Sequence, residues 1–546
     1  MTLLFAGWLA GCAPAPVRPG EPVQVKILAI NDFHGNLRPP QGGIRIRDPQ
    51  DAGKTVNVAA GGAEHLATAV AELRAKNPNH IFVAAGDLIG ASPLTSALFH
   101  DEPTVEAFSL MGLEATAVGN HEFDHGSAEL LRLQRGGCHP MDGCKGPQPF
   151  TGARFRWLAA STIDVRSGQP LLPAYHVKRF QGIPVAFIGL TLKDTPQIVV
   201  PSGVTGLEFR DEAQTVNALV PQLKRQGIEA IVVLIHEGGQ PSGDYDECPG
   251  ISGPIVRIVE QFDPAVDLVI SGHTHRAYVC RIAGRLVTSA DKYGTLVTEI
   301  DLVLDPATGD VRETRAHNVI VRTDRFAKEN AQTQLIEQYE QLAAPLAKRA
   351  VGRASAPLSR DESEAGEMPI GQLVADAQLA ATAAEGAQLA LMNPGGLRAA
   401  LSGDAGGQVR YEDLFAVQPF YNNLVTITLT GSQLQRVLEQ QWLNQPRPRV
   451  LQVSRGFGYS WDASKPPGER VVPGSLRLNG AVIAPEQSLR VTINSFLAAG
   501  GDNFTVFKQD ARDARTGMMD IDALERHVAA RGVIAPGALD RIRRVH

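Results

Sequence analysis

Gly119-Asn120-His121-Glu122-Phe123-Asp124-His125-Gly126 sets an amide, two imidazoles and two carboxylates between terminal glycines. It follows Leu113-Glu114-Ala115-Thr116-Ala117-Val118, a largely apolar run of strand length. The polar cluster is therefore expected at the C-terminal end of a buried strand, where α/β sheets place their ligands. An asparagine oxygen can ligate a cation, and a histidine beside it can act on whatever the cation holds. A strand-to-helix turn, with Asn, Asp and Gly chosen for backbone reasons, is the competing reading. The rest of the chain decides between them.

Four other apolar runs end in the same way. Val23 to Ile30 opens onto Asn31-Asp32-Phe33-His34-Gly35, and His80 to Ala85 onto Gly86-Asp87. Ile231 to Ile235 ends in His236-Glu237-Gly238-Gly239, and Asp267 to Ile270 in Ser271-Gly272-His273-Thr274-His275. Strand side chains alternate with period two, so D-x-H and H-x-H are each expected to put both side chains on one face. One histidine after a strand is usually structural. Five strand ends with Asp, His or Asn beside glycine point to a shared metal site.

At 546 residues the chain exceeds one ordinary core, so two or more domains are expected. Hydrophobic residues at 43% and charged residues at 20% exclude a disordered chain or a polytopic membrane protein. A net charge of -6 with no basic run argues against gripping a nucleic-acid polymer by its phosphates. A small anionic substrate would need positive charge placed locally, by metal ions or a few arginines. Helices are expected over Gly62 to Lys76, near Pro93 to Phe99 and Pro103 to Met111, and over Ile370 to Ala384. Strands are expected at Gln388 to Met392, Leu424 to Leu429 and Leu489 to Ile493. Between the halves, Arg325 to Ala350 lacks glycine and reads as a mostly helical connector.

Residues 1–22 read as an export signal and a Pro-rich tether. Met1 to Cys12 is apolar but too short to span a bilayer. Leu9-Ala10-Gly11-Cys12 resembles a bacterial lipobox, which implies a lipid anchor through Cys12 and a periplasmic or outer-membrane location. An ordinary signal followed by a chance cysteine is the alternative. Setting Cys12 aside leaves Cys138 with Cys144 in a Gly/Pro-rich loop and Cys248 with Cys280 around a strand. Two disulfides in an oxidising compartment are expected. Zinc is the competing reading, against which stand the lack of a C-x2-C spacing and a loop whose only histidine is His139.

These motifs, in this order, resemble the 5'-nucleotidase family, and the resemblance runs from about Val23 to Phe507. It implies an α/β (α+β) chain. Residues 23–320 would form a two-layered β-sandwich metallophosphoesterase domain flanked by helices. A helical linker over 325–350 and a smaller α/β C-terminal domain over 351–546 would follow. By the resemblance, Asp32, His34, Asp87 and His275 hold one divalent ion and Asp87, Asn120, His236 and His273 a second, drawn from zinc, manganese, cobalt or iron. His121 and Asp124 are the catalytic pair. Glu122 has a weaker claim, as a structural carboxylate, and His125 as a solvated loop residue.

In the second half, Asn393-Pro394-Gly395-Gly396-Leu397-Arg398 resembles the family's Asn-Gly-Gly-Gly-Ile-Arg, with Pro394 departing from it. Asn393 and Arg398 keep their spacing. Arg398 is implied to hold the substrate's phosphate or carboxylate-like groups. Arg360 is matched to a second such arginine, with a solvated loop residue as the alternative. Gln418 to Asn422 and Asn494 to Asp502 resemble the base-binding segments. They imply Phe420 and Phe496 sandwiching the base, Asn422 near it and Asp502 near the ribose. Stacking tolerates every base.

The implied activity is hydrolysis of nucleoside 5'-monophosphates by direct attack of water, without a phosphoenzyme. A 2',3'-cyclic-nucleotide phosphodiesterase with 3'-nucleotidase activity and a UDP-sugar hydrolase share the architecture. A catalytically dead nucleotide-binding surface protein is the rival of another class. Retention of all seven ligand positions and of His121 and Asp124 argues against it. Because metal ligands and base contacts fall in different halves, the substrate bridges them, and closure about the linker is expected.

Overall fold

The computed structural model describes residues 20–445 and 447–546. The expected export signal, with Cys12, lies outside the described residues. In the first half, two six-stranded sheets pack face to face. One runs Val311–Ile320, Leu296–Leu304, Val23–Ile30, His80–Ala84, Ala115–Ala117, Arg156–Leu158. Its last four strands are parallel, while Leu296–Leu304 pairs antiparallel with both its neighbours. The other runs Ala277–Ile282, Arg285–Ala290, Leu268–Ser271, Ala230–His236, Ile183–Thr191, Tyr175–Phe180, with its four inner strands parallel.

Alternation along each strand explains why these runs are apolar throughout. Val25, Ile27, Ile81 and Val83 meet Val185, Phe187, Val232 and Leu234 between the sheets. Leu28, Ile30, Phe82 and Ala84 face outward onto the helices Ala63–Arg74 and Glu102–Met111. On the far side Ile188, Ile231, Val233 and Ile235 cover the helices Glu212–Arg225 and Pro254–Glu260. Strands buried on both faces carry no polar alternation. The polar residues are displaced to the strand ends.

The connector is the helix Asn330–Ala347, capped by Glu329, whose carboxylate accepts the Ala331 and Gln332 amides. Ile336 belongs to the core of the first half, whereas Ala343 and Ala347 pack with Ile370 and Leu414 of the second. Tyr339 is fully buried between them, with its ring 4.8 Å from that of Phe99 and its hydroxyl donating to Glu106 at 3.0 Å. The helix is thus shared by two cores rather than free in solvent.

The second half is built on a five-stranded sheet in the order Gln452–Val453, Leu389–Met392, Ser488–Asn494, Asn423–Thr430, Arg512–Met519. The helix Pro369–Ala381 lies against it. Both disulfides form, Cys138 to Cys144 and Cys248 to Cys280.

Candidate active site

Parallel strands deliver their C-terminal ends to one rim, and the seven ligand-type residues gather there. Asp32, His34, Asp87, His273 and His275 all adopt left-handed backbone, with φ of 51°, 47°, 50°, 70° and 52°. This corrects the pleat argument. Asp32 and His34 lie beyond the strand Val23–Ile30, and tight turns bring them together rather than period-two alternation. Non-glycine residues pay of order 1 kcal/mol each for such backbone, which persists only where the surroundings enforce it. Here the enforcement is a backbone ladder: the amides of Asp32, His34 and Gly35 donate to the carbonyls of Gly86, Asp87 and Leu88 at 3.0–3.1 Å. Gly86 is required between them, because a Cβ there would meet His236 Nδ1 at 2.7 Å.

The side chains group as Asp32 with His34 and His275, Asp87 with His236 and His273, and, overlapping both, His34 with Asp87 and His121. Asn120 Oδ1 lies 3.0 Å from His273 Nδ1. His34 Nε2 and His275 Nε2 are 3.0 Å apart, and His236 Nε2 is 2.9 Å from Asp87 Oδ2. Two donors at right angles on a cation with bonds of about 2.1 Å would stand about 3.0 Å apart, a spacing that these pairs fit.

Tautomers agree with that fit. His34 Nδ1 is 2.9 Å from the Gly90 carbonyl and His236 Nδ1 is 2.8 Å from that of Ala85. A carbonyl only accepts, so both Nδ1 atoms carry hydrogen, and the Nε2 atoms of both rings turn inward, that of the neutral His34 as a lone pair. His236 Nε2 is buried without a well-directed hydrogen bond despite its nearness to Asp87.

Burial, the largest influence, pushes His34 and His275 well below the ordinary imidazole range and His273 to about 3, so these rings are neutral. Burial also lowers His236, but the Asp87 carboxylate outweighs it and raises the ring to about 10. A proton on His236 balances buried carboxylates whose charge a divalent ion would balance as well.

His121 sits beside this cluster. Its Nδ1 is 2.7 Å from Asp124 Oδ2, and its backbone amide donates to Asp87 Oδ1 at 2.9 Å. Burial works against the charged ring, yet Asp124 and then Asp87 raise it above the ordinary value. Glu122 points away from chemistry: it accepts the amides of Asp87, Leu88 and Gly119 at 2.6–3.0 Å and so braces two loops. His125 is exposed.

The second half faces the same cleft. Arg398 lies near enough to His34 and His275 to disfavour their protonation, and its guanidinium stands 5.8 Å from the Phe420 ring centre. Phe420 in turn stacks on His121, with centroids 5.8 Å apart and planes 19° from parallel. Arg360 donates to the Arg398 carbonyl at 3.4 Å; burial, then Arg398, lowers its basicity. Asn393 donates to Asp502 Oδ2 at 2.8 Å and accepts from Asn494 at 2.9 Å. Asn422 is buried, accepting from Ser495 at 3.1 Å. Phe496 covers Gly501, where a Cβ would meet its ring.

Several participants carried no sequence signal. Arg449 pairs with Asp502 Oδ1. Asn31 donates to Asp32 Oδ2 at 2.7 Å, and the Tyr293 ring lies 6.1 Å and 6.0 Å from those of His34 and His275. Arg447 adds positive charge near Arg360. Arg449, Tyr293 and Arg447 lie outside the patterned motifs and arrive from distant loops, whereas Asn31 sits beside Asp32 in the stretch already quoted, without a role read for it.

Comparison with known proteins agrees with this geometry. The calcineurin-like phosphoesterase profile matches residues 25–277, and that of the 5'-nucleotidase C-terminal domain residues 350–509. Endonuclease YhcR of Bacillus subtilis (strain 168) is 32% identical over 95% of the chain, which spans 41% of that protein. Cell wall protein Lmo0130 of Listeria monocytogenes is 29% identical over 93% of the chain and 67% of its own length. The crystal structure of a 5'-nucleotidase precursor from Thermus thermophilus matches with TM-score 0.78 and 25% identity, over 96% of this chain and 99% of that one. Calcineurin-like phosphoesterases use divalent metals. The chain therefore belongs to the 5'-nucleotidase family, metal-dependent phosphoesterases that join a calcineurin-like domain to a nucleotidase C-terminal domain.

Proposed function

We propose that the protein is an exported two-metal phosphohydrolase that releases phosphate from nucleoside 5'-monophosphates. The observation that carries this reading is the convergence of two carboxylates, one amide and four imidazoles at ligand-edge separations, with the His121–Asp124 pair beside them. Asp32, His34, Asp87 and His275 would hold one divalent cation and Asp87, Asn120, His236 and His273 the other. When bound, the cations would supply charge for the phosphoryl oxygens and make an attacking water acidic.

The chain's own residues do the rest. Arg398 and Arg360 bind the phosphate from the opposite wall, their forked donors matching its oxygens. His121, made more basic by Asp124, holds a proton on Nε2 and gives it to the leaving ribose oxygen. Phe420 and Phe496 bind the base by stacking, and Asn393 and Arg449 hold the Asp502 carboxylate for the ribose hydroxyls. Asn422, fixed by Ser495, orients the base edge. Water attacks phosphorus in line as the ester oxygen departs.

Export is supported by two disulfides, which persist in oxidising compartments, and by the apolar segment Met1 to Cys12. Among the described residues no helix is long and apolar enough to cross a membrane. A second reading, phosphodiester cleavage, is favoured by the 32% identity to a protein named as an endonuclease.

One assay separates the readings: phosphate release from AMP, 3'-AMP, 2',3'-cyclic AMP and UDP-glucose, with and without chelator. The proposal expects AMP to be the best substrate. Preference for the cyclic diester would favour the second reading, and turnover indifferent to chelator would overturn the metal mechanism.

A further inference from the structure

In the second half, one buried side chain joins the segment that carries Phe496 to the carboxylate of Asp502. Asn494 ends the strand Ser488–Asn494 and caps the short helix Ser495–Ala498, to which Phe496 belongs. It is 1% exposed, and both ends of its amide are engaged. Oδ1 accepts the Leu497 backbone amide at 2.8 Å. Nδ2 donates to Asn393 Oδ1 at 2.9 Å and lies 3.5 Å from Met392 Sδ.

These bonds have a direction. A backbone N–H only donates, so the Asn494 atom facing Leu497 is the oxygen and the one facing Asn393 is the nitrogen. Asn393 then turns its oxygen to Asn494 and its own Nδ2 to Asp502 Oδ2, which accepts at 2.8 Å. Arg449 holds the other carboxylate oxygen, and Gln445 donates to the Asp502 carbonyl at 2.7 Å. Asn393 and Asp502 are buried as well, so water competes little for these groups. One donor on each carboxylate oxygen leaves each a further acceptor site, the arrangement that two neighbouring hydroxyls match. Capping alone does not call for asparagine, since serine and threonine serve equally at that position. Their hydroxyl, one bond nearer the backbone and turned to Leu497, offers nothing to Asn393.

We propose that Asn494 is a positioning residue for ribose recognition: by fixing the Asn393 amide it aims the Asp502 carboxylate at the 2'- and 3'-hydroxyls, and by capping the helix of Phe496 it ties that aim to base stacking. This role rests on the nucleotide reading of the cleft, and Asn494 itself does not touch substrate. Without a donor at position 494, the Asn393 amide is free to turn over, and its oxygen then faces Asp502 and repels it. The ribose hydroxyls lose a directed partner, while the metal-ligand residues, Arg398 and the stacking rings keep theirs.

The test compares AMP with 2',3'-dideoxy-AMP, which differ only in the two hydroxyls, on the full chain with manganese or zinc supplied. Asn494→Ser keeps the cap on Leu497 and removes the donor. It should raise KM for AMP about tenfold, as misdirecting a hydrogen bond to a charged group does, with kcat within about twofold of the wild type. KM for 2',3'-dideoxy-AMP should not change. Asn494→Thr, which fills more of the vacated space, should repeat the result if the serine variant folds poorly. Calorimetric binding of adenosine and 2',3'-dideoxyadenosine reads the same discrimination without turnover. A chain that failed to hydrolyse AMP would therefore sink the nucleotidase reading and leave this one to the binding data. Equal changes for the two nucleotides or the two nucleosides, as a merely structural role would give, would overturn the proposal. So would no change for either, or a wild type that does not prefer the hydroxylated compound.

Discussion

The imidazole of His121 and the ring of Phe420 lie 5.8 Å apart and 19° from parallel, one from each half of the chain. The group placed to move a proton is thus covered by the ring placed to bind the base. If His121 and Phe420 have the proposed roles, substrate affinity and the environment of the imidazole are coupled through this one contact. Phe420→Ala should raise KM for AMP about tenfold, since stacking on an aromatic ring contributes about 1–3 kcal/mol. Phe420→Trp should keep KM within a few-fold of the wild type. Steady-state kinetics of the two variants give the answer, and equal losses in both would remove stacking from the account.

His121→Ala should lower kcat by about 10²- to 10⁴-fold, the usual contribution of a positioned proton donor. Metal content, measured by elemental analysis, should not change, because the variant removes none of the seven proposed ligands and His121 only stands beside His34 and Asp87. Asp124→Asn should have a smaller effect of the same kind. Loss of metal from His121→Ala would return the Gly119 to Gly126 stretch to a structural role.

Arg398→Lys is expected to behave almost as badly as Arg398→Ala, raising KM for AMP by about 10- to 100-fold. A point charge cannot reproduce a fork that matches phosphate. Adenosine binding, followed by calorimetry, should be nearly unaffected in either variant.

Stability should fall as pH rises toward 8 for a reason remote from the site. Asp267 accepts the Ile231 amide at 2.8 Å, and burial raises its carboxyl to about 7. An acid whose folded value exceeds its unfolded one contributes stability that is fully present below about pH 4. The contribution is lost as pH climbs toward 7, at no more than about 1.4 kcal/mol per pH unit. Asp267→Asn keeps an acceptor for Ile231 and removes the titration. Denaturant melts at pH 5 and pH 8 should show a smaller pH dependence for the variant than for the wild type.

The polar residues of the candidate site were legible because burial on both faces of each strand leaves polar groups nowhere to go but the strand ends. Asp87, Asn120 and His236 are the first polar residues after their apolar runs, and Asp32, His273 and His275 follow within a few residues of theirs. What was not legible is how the chain makes them converge. The left-handed turns at Asp32, His34, Asp87, His273 and His275 depend on hydrogen bonds between loops far apart in sequence. Arg449, Tyr293 and the stacking of Phe420 on His121 depend on how the halves dock. The connecting helix was readable as a helix, but its burial in two cores, through Ile336 in one and Tyr339 and Ala343 in the other, was not.

The most direct measurement compares phosphate release from AMP by the wild type and by Asp87→Asn, each as purified, after chelation, and after manganese or zinc is restored. Asp87 meets both ligand groups, lying 2.9 Å from His236 Nε2 and 3.7 Å from His34 Nε2. The account predicts that the wild type loses turnover on chelation and regains it with metal, while Asp87→Asn stays at least 10²-fold slower under all three conditions. Turnover that survives chelation, or a fully active Asp87→Asn, would contradict it.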